Sequence, residues 1–230
     1  MKVKICGITV LDDALAAVEA GADMLGFNFY PPSPRYVGRA TCARLVNALQ
    51  SRSLAVTTVG IFVDMSPVDV LAILDECGLD LAQLSGNEPP DDLDILGERA
   101  FKGIRPQDSR EAPVLAARYA CRAEPPVLLV DASAGAGQFG GTGRVADWGA
   151  ASALAGQYPI LLAGGLRPEN VAAAVAAVHP WGVDVASGVE SSPGRKDAAM
   201  TAAFVRAARG PQCEHLSSKR RGSREGRLSA

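Results

Sequence analysis

Short apolar runs and longer amphipathic stretches alternate along this 230-residue chain. The runs lie at 3–6 (VKIC), 24–29 (MLGFNF), 55–63 (AVTTVGIFV), 81–84 (LAQL), 101–104 (FKGI), 127–131 (VLLVD), 160–163 (ILLA) and 183–187 (VDVAS). Runs this short with little polar alternation predict eight strands buried on both faces, as in a parallel sheet covered by helices. Between them, apolar residues recur at helical spacing in DDALAAVEAGA from Asp12, ATCARLVNAL from Ala40, SPVDVLAILDECG from Ser66 and PENVAAAVAAV from Pro168. Ser66 followed by Pro67 offers an N-cap hydroxyl and a proline at the first helical position, where the missing N–H costs nothing. Gly21 and Gly78 follow helical patterns at the place where a left-handed residue ends a helix. Pro106, Pro113, Pro125 and Pro126 confine the next helix to about residues 110 to 122.

Eight strand–helix units in about 209 residues predict one α/β domain over 1–209, a (β/α)8 TIM barrel, because a doubly wound open sheet needs fewer strands. No linker or shift in composition marks a second domain. From Gly210 the pattern stops, and residues 210–230 carry too little apolar surface to offset the entropy of ordering them. A disordered basic tail is the expectation there, with the KRRGSR string as the alternative of a binding segment.

Composition narrows the function. The chain is 48% hydrophobic but only 5% aromatic, so Ala, Val, Leu and Ile build the core. Its net charge of −2 hides a charge of −5 on residues 1–209 (18 basic, 23 acidic) and +3 on the tail. No overall positive field draws it to nucleic acid. No run of about 18 apolar residues predicts a membrane span, and MKVKICGITV has no secretory h-region, so the chain is expected in the cytoplasm. A helix-covered barrel is compatible with a monomer or a homodimer. The five cysteines stand at least 35 positions apart and the two histidines are isolated, which excludes a disulfide framework, a C-x-x-C metal pattern and a histidine-based triad. Acid–base chemistry falls to Asp, Glu, Cys or Lys.

Barrel function sits at the C-terminal ends of the strands. That rule selects Cys6, Asn28 with the following YPPSPRY loop, Asp64, Ser85, Arg105, Asp131, Gly164, Gly165, Ser187 and Gly188. The glycine loops AGGLRPENV and ASGVESSPGRKD follow strands 7 and 8, where backbone N–H groups commonly hold a phosphate; the other reading is that the glycines make tight turns. Asp131 ends a very apolar strand, either as a satisfied structural carboxylate or as an acid whose pKa a neighbouring anion raises. Cys6 is either a small buried hydrophobe or a thiolate base. Arg35 lies on a proline-stiffened loop, as a solvated side chain or as a clamp for a carboxylate or phosphate.

Taken together, KICGIT (4–9), GFNFYPPSPRYV (26–37), VGIFVD (59–64), QLSGNE (83–88), LLVDA with GGTG (128–143), AGGLRPENV (163–171) and VDVASGVESSPGRKD (183–197) resemble the phosphoribosylanthranilate isomerase family of tryptophan biosynthesis. The resemblance implies a cofactor-free, metal-free Amadori rearrangement of a phosphorylated small molecule, N-(5'-phosphoribosyl)anthranilate. It implies Asp131 as general acid, Cys6 as general base, Arg35 at the anthranilate carboxylate, and Gly164, Gly165, Ser187 and Gly188 at the phosphate. Asp184 matches an acidic position near the substrate. Ser85 departs from the family's usual histidine. The alternatives are a histidine-pathway phosphosugar isomerase, which uses aspartate where Cys6 stands, and a non-catalytic phosphate-binding barrel.

Overall fold

The computed structural model describes residues 1–131 and 148–210. Eight strands, β1 (Lys2–Cys6), β2 (Met24–Asn28), β3 (Thr57–Phe62), β4 (Leu81–Leu84), β5 (Ala100–Ile104), β6 (Leu128–Asp131), β7 (Ile160–Ala163) and β8 (Gly182–Val185), pair in parallel in sequence order. β1 closes the ring on β8, so the sheet is the expected (β/α)8 barrel. Helices α1 (Leu11–Glu19), α2 (Arg39–Gln50), α3 (Pro67–Cys77), α4 (Pro90–Leu96), α5 (Glu111–Tyr119), α6 (Trp148–Ala155), α7 (Val171–Val178) and α8 (Ala198–Arg209) surround it. The GGTG string at 140–143 and the basic segment after Gly210 lie outside the described residues.

Local signals act as read. The Ser66 hydroxyl accepts from the Asp69 N–H at 3.2 Å, and Gly78 closes α3 in the left-handed conformation. α5 stops at Tyr119, short of residue 122, because Ala120 leaves helical geometry. β3 begins two residues later than the apolar run, at Thr57, the first residue to pair with β2. β8 ends at Val185 rather than 187, since Ala186 (φ −118°, ψ −80°) turns the chain into a 3₁₀ turn over Ser187–Val189.

Side-chain alternation divides the apolar residues of each strand between two layers. Outward-facing Val3, Ile5, Leu25, Phe27, Leu128, Val130 and their equivalents pack under the helices. Inward-facing Met24, Val59, Phe101, Leu129, Leu161 and Ala163 form a separate plug inside the ring. Residues further along the same inward rows meet open space. The plug thus fills the barrel's lower half and leaves a cavity at its C-terminal mouth.

Candidate active site

That cavity measures about 600 Å³ and is lined by Cys6, Arg35, Asp131, Gly164, Gly165, Asp184, Ser187 and Gly188, the eight residues that the family resemblance placed at the site. Asn28, Ser85 and Arg105 line it as well. Asp64 does not. Val63 takes the inward position beyond β3, whereas Asp64 has a left-handed φ of 51° and accepts a hydrogen bond from the Asn87 N–H of the next loop.

Lys4 and Cys6 stand two residues apart on β1, so both side chains point into the ring. Lys4 and Asp184 are register partners across β1 and β8, and the Lys4 ammonium donates to Asp184 Oδ1 at 2.7 Å. Lys4 is 0% exposed. Burial alone would lower its pKa, but Asp184 and Cys6 outweigh that and hold it above its ordinary value. The same crowding acts oppositely on Cys6: burial pushes the thiol up, Lys4 pulls it down, Asp184 pushes it up and Lys196 pulls it down, with a net rise. The net effect favours the thiol over the thiolate. Gly26, its register partner on β2, makes room for it, since a methyl there would stand 3.0 Å from the Cys6 sulfur.

β1 and β6 lie three strands apart around the ring, and Asp131, at the end of β6, faces the same cavity. Its carboxylate is 3.7 Å from the Arg105 guanidinium, and Arg105 also donates to the Ser85 carbonyl at 3.2 Å. The Ser85 hydroxyl accepts from Gln83 Nε2 at 3.0 Å. A short hydroxyl tied to its own strand thus occupies this part of the wall.

On the other side, Gly164 (φ 100°) and Gly165 (φ 63°) turn the chain after β7. Gly188 is required by space instead: a Cβ there would lie 1.9 Å from the Leu166 carbonyl oxygen. The loops after β7 and β8 therefore meet backbone to backbone. Arg35 is fixed by Glu190, whose two oxygens accept from Arg35 Nε and Nη2 at 2.8 and 2.7 Å. Lys196 donates to Glu190 at 2.8 Å and to the Ala186 carbonyl at 3.0 Å. Burial would raise the Glu190 pKa, but its bonds to Arg35 and Lys196 hold it below the ordinary carboxylate value.

The roles of Lys4, Glu190, Lys196 and Gln83 went unread in the sequence. Lys4 carried a usable signal, a charge at an inward position of an apolar strand, which demands a partner. Glu190 and Lys196 sat inside a quoted motif, but only the folded loop shows what they hold. Cys42 and Cys77, distant in sequence, come together between α2 and α3, where the Cys77 thiol donates to the Arg39 carbonyl at 3.5 Å. Among the described residues no cluster of three or more His, Cys, Asp or Glu side chains is placed to hold a metal ion. No described helix is long and apolar enough to cross a membrane.

The family model for N-(5'-phosphoribosyl)anthranilate (PRA) isomerase matches residues 3–207. The Myxococcus xanthus N-(5'-phosphoribosyl)anthranilate isomerase is 45% identical over 210 residues, covering 91% of this chain and 96% of that protein. The crystal structure of phosphoribosyl anthranilate isomerase from Thermotoga maritima superposes with a TM-score of 0.81 at 36% identity, covering 91% of this chain and 98% of that one. A second phosphoribosyl anthranilate isomerase structure, in complex with reduced 1-(o-carboxyphenylamino)-1-deoxyribulose 5-phosphate, superposes at 0.77 with 34% identity, covering 91% and 98%. With the family model spanning nearly all of the barrel, this chain belongs to the N-(5'-phosphoribosyl)anthranilate isomerase family, the isomerases of tryptophan biosynthesis.

Proposed function

We propose that the family's Amadori rearrangement runs in this pocket with Asp131 as general acid and Cys6 as general base. The observation that carries the assignment is the convergence of Cys6, Asp131, Arg35 and both glycine loops on one cavity. Asp131 donates its proton to the furanose ring oxygen as the bond from that oxygen to C1' breaks, leaving a Schiff base to the anthranilate nitrogen. Cys6, as thiolate, then takes the proton from C2', and the resulting enolamine tautomerises to the ketone of the 1-deoxyribulose 5-phosphate.

The substrate's two anionic ends match the two ends of the site. Arg35 takes the anthranilate carboxylate, and backbone N–H groups around Gly164, Gly165, Ser187 and Gly188 take the phosphate. Asp184 pairs with Lys4, and it is the Lys4 cation that eases ionisation of the Cys6 thiol, against the opposing charge of Asp184. Cys6 in place of the aspartate of histidine-pathway isomerases favours the anthranilate substrate over theirs. Every named residue comes from one chain, which supports a site that works in a monomer or in each half of a homodimer. We assign the catalytic unit to residues 1–209, with 210–230 as a basic tail outside it, and place the enzyme in the cytoplasm.

Fluorescence of the anthranilate substrate should decay on adding the protein without metal or nucleotide. Asp131→Asn should lose several orders of magnitude in rate while still binding a product analogue. Near-normal turnover by that variant removes Asp131 as the acid.

A further inference from the structure

The segment after β8 folds back as a hairpin of β9 (Glu190–Ser192) and β10 (Arg195–Lys196). Its tip is pinned from two sides. The Thr9 hydroxyl donates to the Gly194 carbonyl at 2.6 Å, and Gly194 lies so close to the Arg35 loop that a Cβ would stand 2.8 Å from the Pro34 carbonyl. The Lys196 N–H donates to Asp13 of α1 at 2.9 Å. The hairpin is thus a fixed strut, and it carries Glu190 to one edge of Arg35.

A guanidinium offers five N–H donors and two edges that can each grip a carboxylate with a parallel pair. Arg35 gives the Nε/Nη2 edge to Glu190. The Nη1/Nη2 edge makes no hydrogen bond among the described residues, and Arg35 lines the cavity. Beneath, Gly7 lets the arginine stem cross the end of β1, since a methyl there would meet Arg35 Cδ at 2.6 Å. Charge balance completes the device. Arg35 and Glu190 alone would be neutral together and attract no anion, but Lys196, with a side chain only 1% exposed, leaves the group with one net positive charge.

We propose that Glu190, balanced by Lys196, is a positioning residue that fixes Arg35 with its outer edge toward the pocket, so that the site discriminates for ligands bearing an aromatic carboxylate. This rests on the reading of Arg35 as the carboxylate contact. Glu190 acts only through Arg35 and touches no reacting atom.

The test compares two ligands by calorimetry: reduced 1-(o-carboxyphenylamino)-1-deoxyribulose 5-phosphate and the same molecule without the ring carboxylate. Glu190→Gln should weaken the first about tenfold, equivalent to about 1.4 kcal/mol, and leave the second unchanged. In steady state the loss should appear in KM with kcat held, as for uniform binding. Arg35→Met should erase the preference between the ligands, and adding Glu190→Gln to it should cost nothing more, because the two substitutions break one contact. If Arg35→Met keeps the preference, the carboxylate reading of Arg35 fails and the proposal with it. If Arg35→Met loses the preference while Glu190→Gln binds both ligands like the parent, the proposal alone is overturned. Should Glu190→Gln fail to fold with Lys196 left unpaired, Glu190→Asp keeps the charge but withdraws it by one methylene. It should lose affinity for the carboxylated ligand only, and parental discrimination there overturns the proposal equally.

Discussion

In Gly188→Ala, the added methyl would stand 1.9 Å from the Leu166 carbonyl oxygen and 3.0 Å from its carbon, whereas ordinary contact begins near 3.4 Å. The obstacle is backbone, which no rotamer change relieves, so the loops after β7 and β8 must part by well over an ångström. Gly188 lies outside the left-handed region, and the cost is therefore one of space alone. Overpacking of this kind costs about 1–3 kcal/mol, and each kcal/mol lowers the melting temperature by roughly 2–4 °C in a chain of this size. The functional loss should be larger, because a misplacement of about 1 Å in a substrate-holding segment costs on the order of 10²-fold in kcat/KM. Substrate fluorescence decay measures kcat/KM, and inorganic phosphate as a competitive inhibitor reads the phosphate end by itself. Both should worsen together at a temperature where the variant is fully folded. Gly156→Ala, at the exposed end of α6 with its nearest contact at 4.0 Å, should change neither. Parental kcat/KM and parental phosphate inhibition in Gly188→Ala would refute the idea that the two loops form one phosphate site.

Three further outcomes are expected. Asp184→Asn leaves the buried Lys4 ammonium uncompensated and should cost about 3–5 kcal/mol by denaturant titration; since the folded Lys4 pKa is raised above 10.5, the difference from the parent should be full below pH 10.5 and shrink as pH rises through the raised value. The kcat/KM profile should rise with pH on a limb above the ordinary thiol value of 9.0, because burial raises Cys6, and Lys4→Met should move that limb higher by removing a cation; a limb below 9.0 in the parent would mean another group titrates. Asp23 is desolvated by burial, but its bonds to Lys2, the Val3 N–H and Arg209 hold it below 3.8, so its contribution to stability is present above pH 3.8 and lost as pH falls through the lowered value. The urea midpoints of the parent and Asp23→Asn should accordingly differ at pH 6 and converge in stronger acid.

The barrel was legible because eight apolar runs and their amphipathic partners each carry their own period, and the rule for barrel mouths then selected most of the pocket. Asp64 shows where that rule slips. It picks residues by their place just past a strand, whereas alternation along β3 gives the inward position to Val63, and the left-handed Asp64 turns to the neighbouring loop. Lys4 shows the reverse case. Its charge sat in plain view in KICGIT, but only closure of β1 on β8 puts Asp184 across from it.

The amino-acid sequence by itself determined the elements and the parallel eight-fold closure, since periodicity, caps and turn glycines are local, and its two isolated histidines narrowed the acid–base candidates to Asp, Glu, Cys and Lys. Tertiary structure alone decided the electrostatics: the Lys4–Asp184 pair beside Cys6, Arg105 beside Asp131, and the Glu190–Lys196 strut behind Arg35. These interactions join residues up to 180 positions apart. Coulomb and desolvation energies depend on distance and burial in space, which no local pattern along the chain encodes.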